Sequence, residues 1–90
     1  MRYNVTVKRK ALKQAESIPM KNRVRIFAGI RGLQDSGTWG DVRKLVNHIY
    51  DYRLRVGNYR ILFNLEESSG NLEIGDISVE EIKKRDDTTY

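Results

Sequence analysis

Polar and apolar positions change period along this chain, and each change marks an element. Tyr3, Val5 and Val7 alternate with Asn4, Thr6 and Lys8, which predicts a short strand. From Arg9 the spacing becomes helical: Ala11, Leu12 and Ala15 form a brief apolar stripe that ends at Pro19. Proline cannot continue a helix but can start one, so a second helix is expected from Pro19 to about Leu33. Its apolar side holds Val24, Phe27 and Ile30, with Ile26 and Leu33 alongside, and its other side carries Lys21, Arg25 and Arg31. Gly29 and Gly32 weaken this helix.

Asp35–Asp41 has the composition of a loop, and Trp39 within it fits a lid over the core better than a base-stacking platform. Three strand-like segments follow, over Lys44–Val46, Ile49–Val56 and Tyr59–Glu66. A turn over Glu67–Asn71 leads to a last strand, Leu72–Val79, whose alternation slips at Gly75-Asp76 and suggests a bulge. The segment Glu80–Tyr90 is highly charged. These elements predict an α+β fold, with two N-terminal helices packed on one face of a small, mainly antiparallel sheet of four to five strands. The other face of that sheet is left bare.

Val56-Gly57-Asn58-Tyr59 is the sharpest local signal. A Gly-Asn pair between two alternating runs reads as a two-residue hairpin, Gly57 supplying the positive φ of a primed turn. The register then pairs Val56 with Tyr59, Arg55 with Arg60, Leu54 with Ile61, Arg53 with Leu62 and Tyr52 with Phe63. One face collects Tyr50, Tyr52, Leu54, Val56, Tyr59, Ile61, Phe63 and Leu65, to be buried under the helices. The other collects Asp51, Arg53, Arg55, Arg60, Leu62 and Asn64. Like charges directly opposite one another destabilise a sheet, where opposite charges would contribute roughly 0.2–1 kcal/mol. Such a local loss is expected where function requires it. Guanidinium groups grip phosphate oxygens in pairs and do not lose their charge, so these three arginines point to an anion site, with a phosphodiester as the anion. The alternative is a solvated strand face with Glu73 or Asp76 pairing to an arginine.

Composition narrows the classes. Ninety residues make one domain, 1–90, and without cysteine there is neither a disulfide nor a thiolate metal site. Hydrophobic residues at 39% and charged ones at 32% describe a globular rather than a disordered chain. No apolar run is long enough for a membrane span, and Met1–Lys10 lacks the apolar core of a signal peptide, so a cytoplasmic protein is expected. Seventeen Lys and Arg against twelve Asp and Glu leave +5, which favours a polyanionic or acidic partner. The charge is segregated: Arg43, Lys44, Arg53, Arg55 and Arg60 cluster with only Asp41 and Asp51 nearby, while acids gather from Glu66 onward. His48 is the sole histidine, so a paired-histidine ribonuclease mechanism is excluded. It reads as an exposed turn residue, its other reading being a general base.

The run Tyr52-Arg53-Leu54-Arg55-Val56-Gly57-Asn58-Tyr59-Arg60, with Lys44-Leu45 before it, Ile77-Ser78-Val79 after it and a closing Tyr90, resembles the RelE/ParE toxin superfamily. The likeness spans nearly the whole chain in length and element order. It implies the RelE-like microbial RNase fold and a type II toxin that cuts messenger RNA on the ribosome. In that chemistry the 2′-hydroxyl is driven onto the adjacent phosphate, leaving a 2′,3′-cyclic phosphate. The resemblance gives Arg53 and Arg55 the place of the family's basic pair, Arg60 that of the scissile-phosphate contact, and Arg85 or Lys84 that of the late basic residue. Tyr90 takes the place of the terminal tyrosine that stacks on a base. Arg43, Lys44 and Lys84 are further candidate RNA contacts. No metal or cofactor is implied. The implied partners are the ribosome (16S rRNA and the message in its A site) and a cognate antitoxin. The family also contains gyrase inhibitors of the ParE type and non-catalytic relatives, and the scaffold alone does not separate these. One departure bears on mechanism. Where the family's best-known ribonuclease has a lysine pair, this chain has Arg53 and Arg55, which cannot act as a base near neutral pH.

Overall fold

Alternating exposure along β1 (Arg2–Val7) and the tight link at Lys8 bring the chain directly into α1 (Arg9–Glu16). The structure is a computed structural model that describes residues 1–67 and 74–85. Ala11 and Ala15, one turn apart, are the buried residues of α1, whereas Leu12 lies outside that narrow stripe and is exposed. Pro19 opens α2 (Met20–Gly32), its carbonyl accepting from the backbone N–H of Asn22 and Arg23. Ile26, Ile30 and Leu33 recur at four- and three-residue spacing and are buried. Val24, expected on that face, is 61% exposed, because the buried stripe runs through Ile26 instead. Gly29 has a packing reason: a Cβ there would come within 3.0 Å of Val56 and 3.3 Å of Leu54, so α2 rests directly on the hairpin.

After a short 3-10 turn (Ser36–Thr38) come β2 (Asp41–Lys44), β3 (Tyr52–Val56), β4 (Tyr59–Glu67) and β5 (Ile74–Lys84). They form one five-stranded sheet in the order β1-β5-β4-β3-β2, antiparallel except for the parallel β1–β5 pair. Two helices on one face of a mostly antiparallel sheet is the predicted architecture. Residues from both helices share one core with Leu54, Ile61, Phe63, Ile77, Val79 and Ile82. Trp39 is the lid expected of it. Its indole N–H donates to the Leu33 carbonyl at 2.9 Å, and its ring packs 5.4 Å from Tyr3 and 6.0 Å from Phe63, centroid to centroid. Among the described residues, no helix is long and apolar enough to cross a membrane.

Several details differ from expectation: β5 runs on to Lys84 rather than ending at Val79, because Glu81–Lys84 continue the pairing with β4 beyond a bulge. β2 occupies Asp41–Lys44 rather than 44–46, which sets Val42 opposite Leu54. β3 begins at Tyr52 rather than Ile49, because Asp51 binds sideways to β4: its N–H donates to Asn64 Oδ1 and its carboxylate accepts from the Leu65 N–H. The bulge lies not at Gly75-Asp76 but at Glu80. The register passes from Leu62 opposite Glu81 to Phe63 opposite Val79, leaving Glu80 as the extra residue. Gly75 keeps phase with Ile77 and pairs with Tyr3. The predicted Glu67–Asn71 turn falls mostly outside the described residues.

The hairpin register is the predicted one throughout. Gly57 has φ +56°, in the left-handed region that glycine tolerates and side chains resist. A Cβ there would meet open space, so strain alone governs its replacement. Gly57→Ala is expected to cost about 1–2 kcal/mol, read as a lowered midpoint in urea denaturation with unchanged slope.

Candidate functional site

Below the helices, the bare sheet face is organised in rows that cross the strands. One row runs Asp41, Arg55, Arg60, Lys83, and the next on the same face runs Arg43, Arg53, Leu62, Glu81. The primed turn sets Arg55 directly opposite Arg60, and the bulge at Glu80 brings Lys83 into line with them. Arg85 follows β5 closely, its backbone N–H bonded to the Asn58 carbonyl at the hairpin turn. The outcome is a depression of about 210 Å³ lined by Arg53, Arg55, Arg60 and Arg85, with Leu45 as its apolar wall.

Four guanidinium groups thus share one concavity. Arg53 is tied to Asp41: its Nη1 lies 3.5 Å from Asp41 Oδ1 and donates to the Asp41 carbonyl at 3.2 Å. Asp41 stands opposite Arg55 in the register, yet its carboxylate turns to Arg53, and Arg55 makes no ion pair among the described residues. Asp76, the other suggested counter-charge, instead accepts from Asn4, and Glu73 lies outside the described residues. Guanidinium groups gathered in this way can bind an anion with several oxygens.

The predicted residues are not all gathered here. Arg53, Arg55, Arg60 and Arg85 converge, and Arg43 flanks them beside Arg53. Lys84 does not join them. The bulge turns it to the helix side, opposite Tyr59, where it lines a separate hollow with Gln14, Ser17 and Ile18. Lys44 likewise pairs with Tyr52, on the side of the sheet away from the arginines. Tyr90 lies outside the described residues. Lys83 was missed, and its signal was the three-residue step from Val79 to Ile82, which breaks the alternation and marks the bulge.

No protein-family model matches the sequence, and no curated protein does. Solved structures do. A chain of the archaeal RelE–RelB complex from Pyrococcus horikoshii OT3 superposes with a TM-score of 0.70 at 26% identity, over 97% of this chain and 99% of that one. The chain is RelE-like. A chain of the RelB–RelE antitoxin–toxin complex from Methanococcus jannaschii shares the fold at a TM-score of 0.62 and 23% identity, over 87% of each chain.

In this RelE-like chain the bare face holds a second polar centre that periodicity did not reveal. Tyr50, expected under the helices, lies on the opposite side, because the strand it was assigned to starts only at Tyr52. Its hydroxyl donates to Glu81 Oε2 at 2.7 Å. Glu81 Oε1 accepts from Gln14 Nε2 at 3.1 Å and faces Lys10 Nζ at 3.3 Å and Lys83 Nζ at 3.8 Å. The Tyr50 hydrogen bond, with help from Gln14, Lys10 and Lys83 and against burial, pulls the Glu81 carboxyl down to about 2. The same bond, with burial and the charges of Glu81 and Glu80, pushes the Tyr50 phenol up to about 12. His48 is exposed on the adjoining loop, its Nδ1 accepting from the Tyr50 N–H at 3.1 Å.

These shifts fix the shape of the stability profile. An unfolded glutamate titrates near 4.5 and Glu81 near 2, so its contribution is complete above pH 4.5 and is lost as pH falls towards 2. Tyr50 contributes fully below pH 10 and loses its share as pH rises towards 12. Urea denaturation from pH 2 to pH 7 is expected to show a steep acid limb in the parent. That limb should be shallower in Glu81→Gln.

Proposed function

We propose that this chain is the toxin of a toxin–antitoxin pair and a ribosome-dependent endoribonuclease that cuts messenger RNA in the A site. The observation that supports this best is the convergence of Arg53, Arg55, Arg60 and Arg85 on one open depression of the sheet face. In the reaction, the 2′-oxygen forms a bond to the adjacent phosphorus and the bond from phosphorus to the 5′-oxygen breaks. A proton leaves the 2′-hydroxyl and a proton is delivered to the departing 5′-oxygen, giving a 2′,3′-cyclic phosphate. Guanidinium groups cannot take that first proton. Their work is to hold the phosphate in line and stabilise the extra charge of the phosphorane. The base is then another group, with His48, Tyr90 and ribosomal RNA as the candidates. Arg43 and Lys83 extend the positive surface along the message.

The partner that restrains the toxin is proposed to be a RelB-like antitoxin, since both structural relatives were solved as RelE–RelB complexes. An acidic segment would associate quickly with the +5 chain and cover the arginine face. The proposed site of action is the cytoplasm. Primer extension on a translated message after brief induction tests the activity. Cuts confined to in-frame codons are expected. Intact message accompanied by DNA damage would replace this reading with a ParE-like action on gyrase.

A further inference from the structure

Residues 45–51, between β2 and β3, form a loop with an odd surface. Val46 is 82% exposed and Ile49 81% exposed, so burial of apolar area does not hold the loop in place. Polar ties do. The Leu45 N–H donates to the Asp51 carbonyl at 2.8 Å and closes the neck. Asp51 anchors the base to β4 through Asn64 and Leu65. The Tyr50 hydroxyl then reaches past β4 to Glu81 on β5. Leu62, the β4 residue in the Glu81 row, is only 2% exposed although it belongs to the bare face and lies outside the main core.

Glu81 is itself 5% exposed. A buried carboxylate is costly unless its oxygens are occupied, and here one oxygen serves α1 while the other serves the loop. The bulge at Glu80 sits immediately beside it, where such irregularities re-aim side chains. Leu45, at the neck of the loop, is the apolar wall of the arginine pocket.

We infer that Glu81 is a positioning residue for the arginine pocket: through the Tyr50 hydroxyl it holds the 45–51 loop across the sheet, so that Leu45 walls one side of the site. The inference rests on reading the pocket as the anion site. Its effect is preorganisation. A fixed apolar wall limits hydration of the guanidinium groups and strengthens their hold on an oxyanion. A merely structural Glu81 would act instead through Lys10 and Gln14, tying α1 to β5.

The two roles separate in the variants Tyr50→Phe, Glu81→Gln and Lys10→Ala, measured on the full chain. Three readouts are taken: amide exchange of residues 45–51, thermal midpoint, and affinity for inorganic pyrophosphate by calorimetric titration. Tyr50→Phe removes one hydrogen bond to a charged group, so loop exchange should rise about tenfold and pyrophosphate binding weaken about five- to tenfold. Its midpoint should fall as well, because the same bond supports the folded state as a whole. Glu81→Gln keeps an acceptor for the phenol and should give intermediate loop exchange. Lys10→Ala should leave both loop exchange and affinity at parental values. Unchanged exchange and affinity in Tyr50→Phe overturn the inference, as does a Lys10→Ala variant that matches it in all readouts. These measurements need neither ribosomes nor message. A confirmed clamp on a protein that cuts no message would therefore count against the ribonuclease reading alone, whereas a parent that does not bind pyrophosphate would remove the anion site and this inference together.

Discussion

Replacing Arg60 by alanine is expected to lower message cleavage on the order of 10²-fold, the usual effect of deleting one preorganised donor to a developing oxyanion. Arg60 lies on β4, between Arg55 and Lys83 in its row, and lines the pocket. No other position of the cluster has cationic neighbours on both flanking strands. The fold should tolerate the change. Removing one of two like charges that face each other relieves a repulsion, and no core volume is lost. The denaturation midpoint should therefore stay near that of the parent while growth arrest on induction disappears. Arg60→Lys should recover only part of the activity, because an ammonium supplies a point charge where a guanidinium supplies a planar fork. An Arg60→Ala protein as lethal as the parent would show that the arginine face is not the site.

The second large effect is on stability. Phe63 is fully buried, stacks on Tyr52 at 5.5 Å and 15°, and meets the edge of Trp39 at 6.0 Å. Phe63→Ala should cost about 3–5 kcal/mol from lost transfer energy and the cavity left behind. In a domain of this size each kcal/mol lowers the melting point by about 4–8 °C, so a fall of about 12–40 °C is expected. Trp39 is the sole tryptophan and packs on the altered site, so its fluorescence follows the transition directly. Phe63→Leu keeps most of the volume and should cost less than about 1.5 kcal/mol. If Phe63→Ala melts with the parent, the core is not centred where the sheet and helices place it.

The hairpin was legible in the sequence because two constraints agreed there. Gly57-Asn58 admits one kind of turn, and the alternation on either side admits one register, so Arg53, Arg55 and Arg60 had to share a face. The segment before it was not legible. Ile49, Tyr50 and Tyr52 carry strong strand character, but Asp51 spends its N–H and carboxylate on β4 and His48 accepts from the Tyr50 backbone. Side chains that compete for backbone groups end a strand without leaving a mark in hydrophobic periodicity. Tyr50 consequently changed sides, and with it the partnership with Glu81 stayed hidden. β5 failed to read for another reason. A bulge inverts every residue beyond it, so the choice between Lys83 and Lys84 depended on finding one extra residue in a run of charges. Arg85, two residues beyond Lys83, comes to the arginine face by the same shift and bonds back to the hairpin turn. Exposed Leu12 and Val24 show the usual weakness of short helices: a stripe a few residues long does not settle which side is inward.

The parallel pairing of β1 with β5 also governs when the arginine pocket can assemble. β1 must wait until β5 has emerged before it finds its neighbour, and Arg85 takes its place later still. Such distant pairings form late and slowly. A nascent chain therefore carries the hairpin arginines before it has the finished pocket, which exists only once Arg85 has joined Arg53, Arg55 and Arg60.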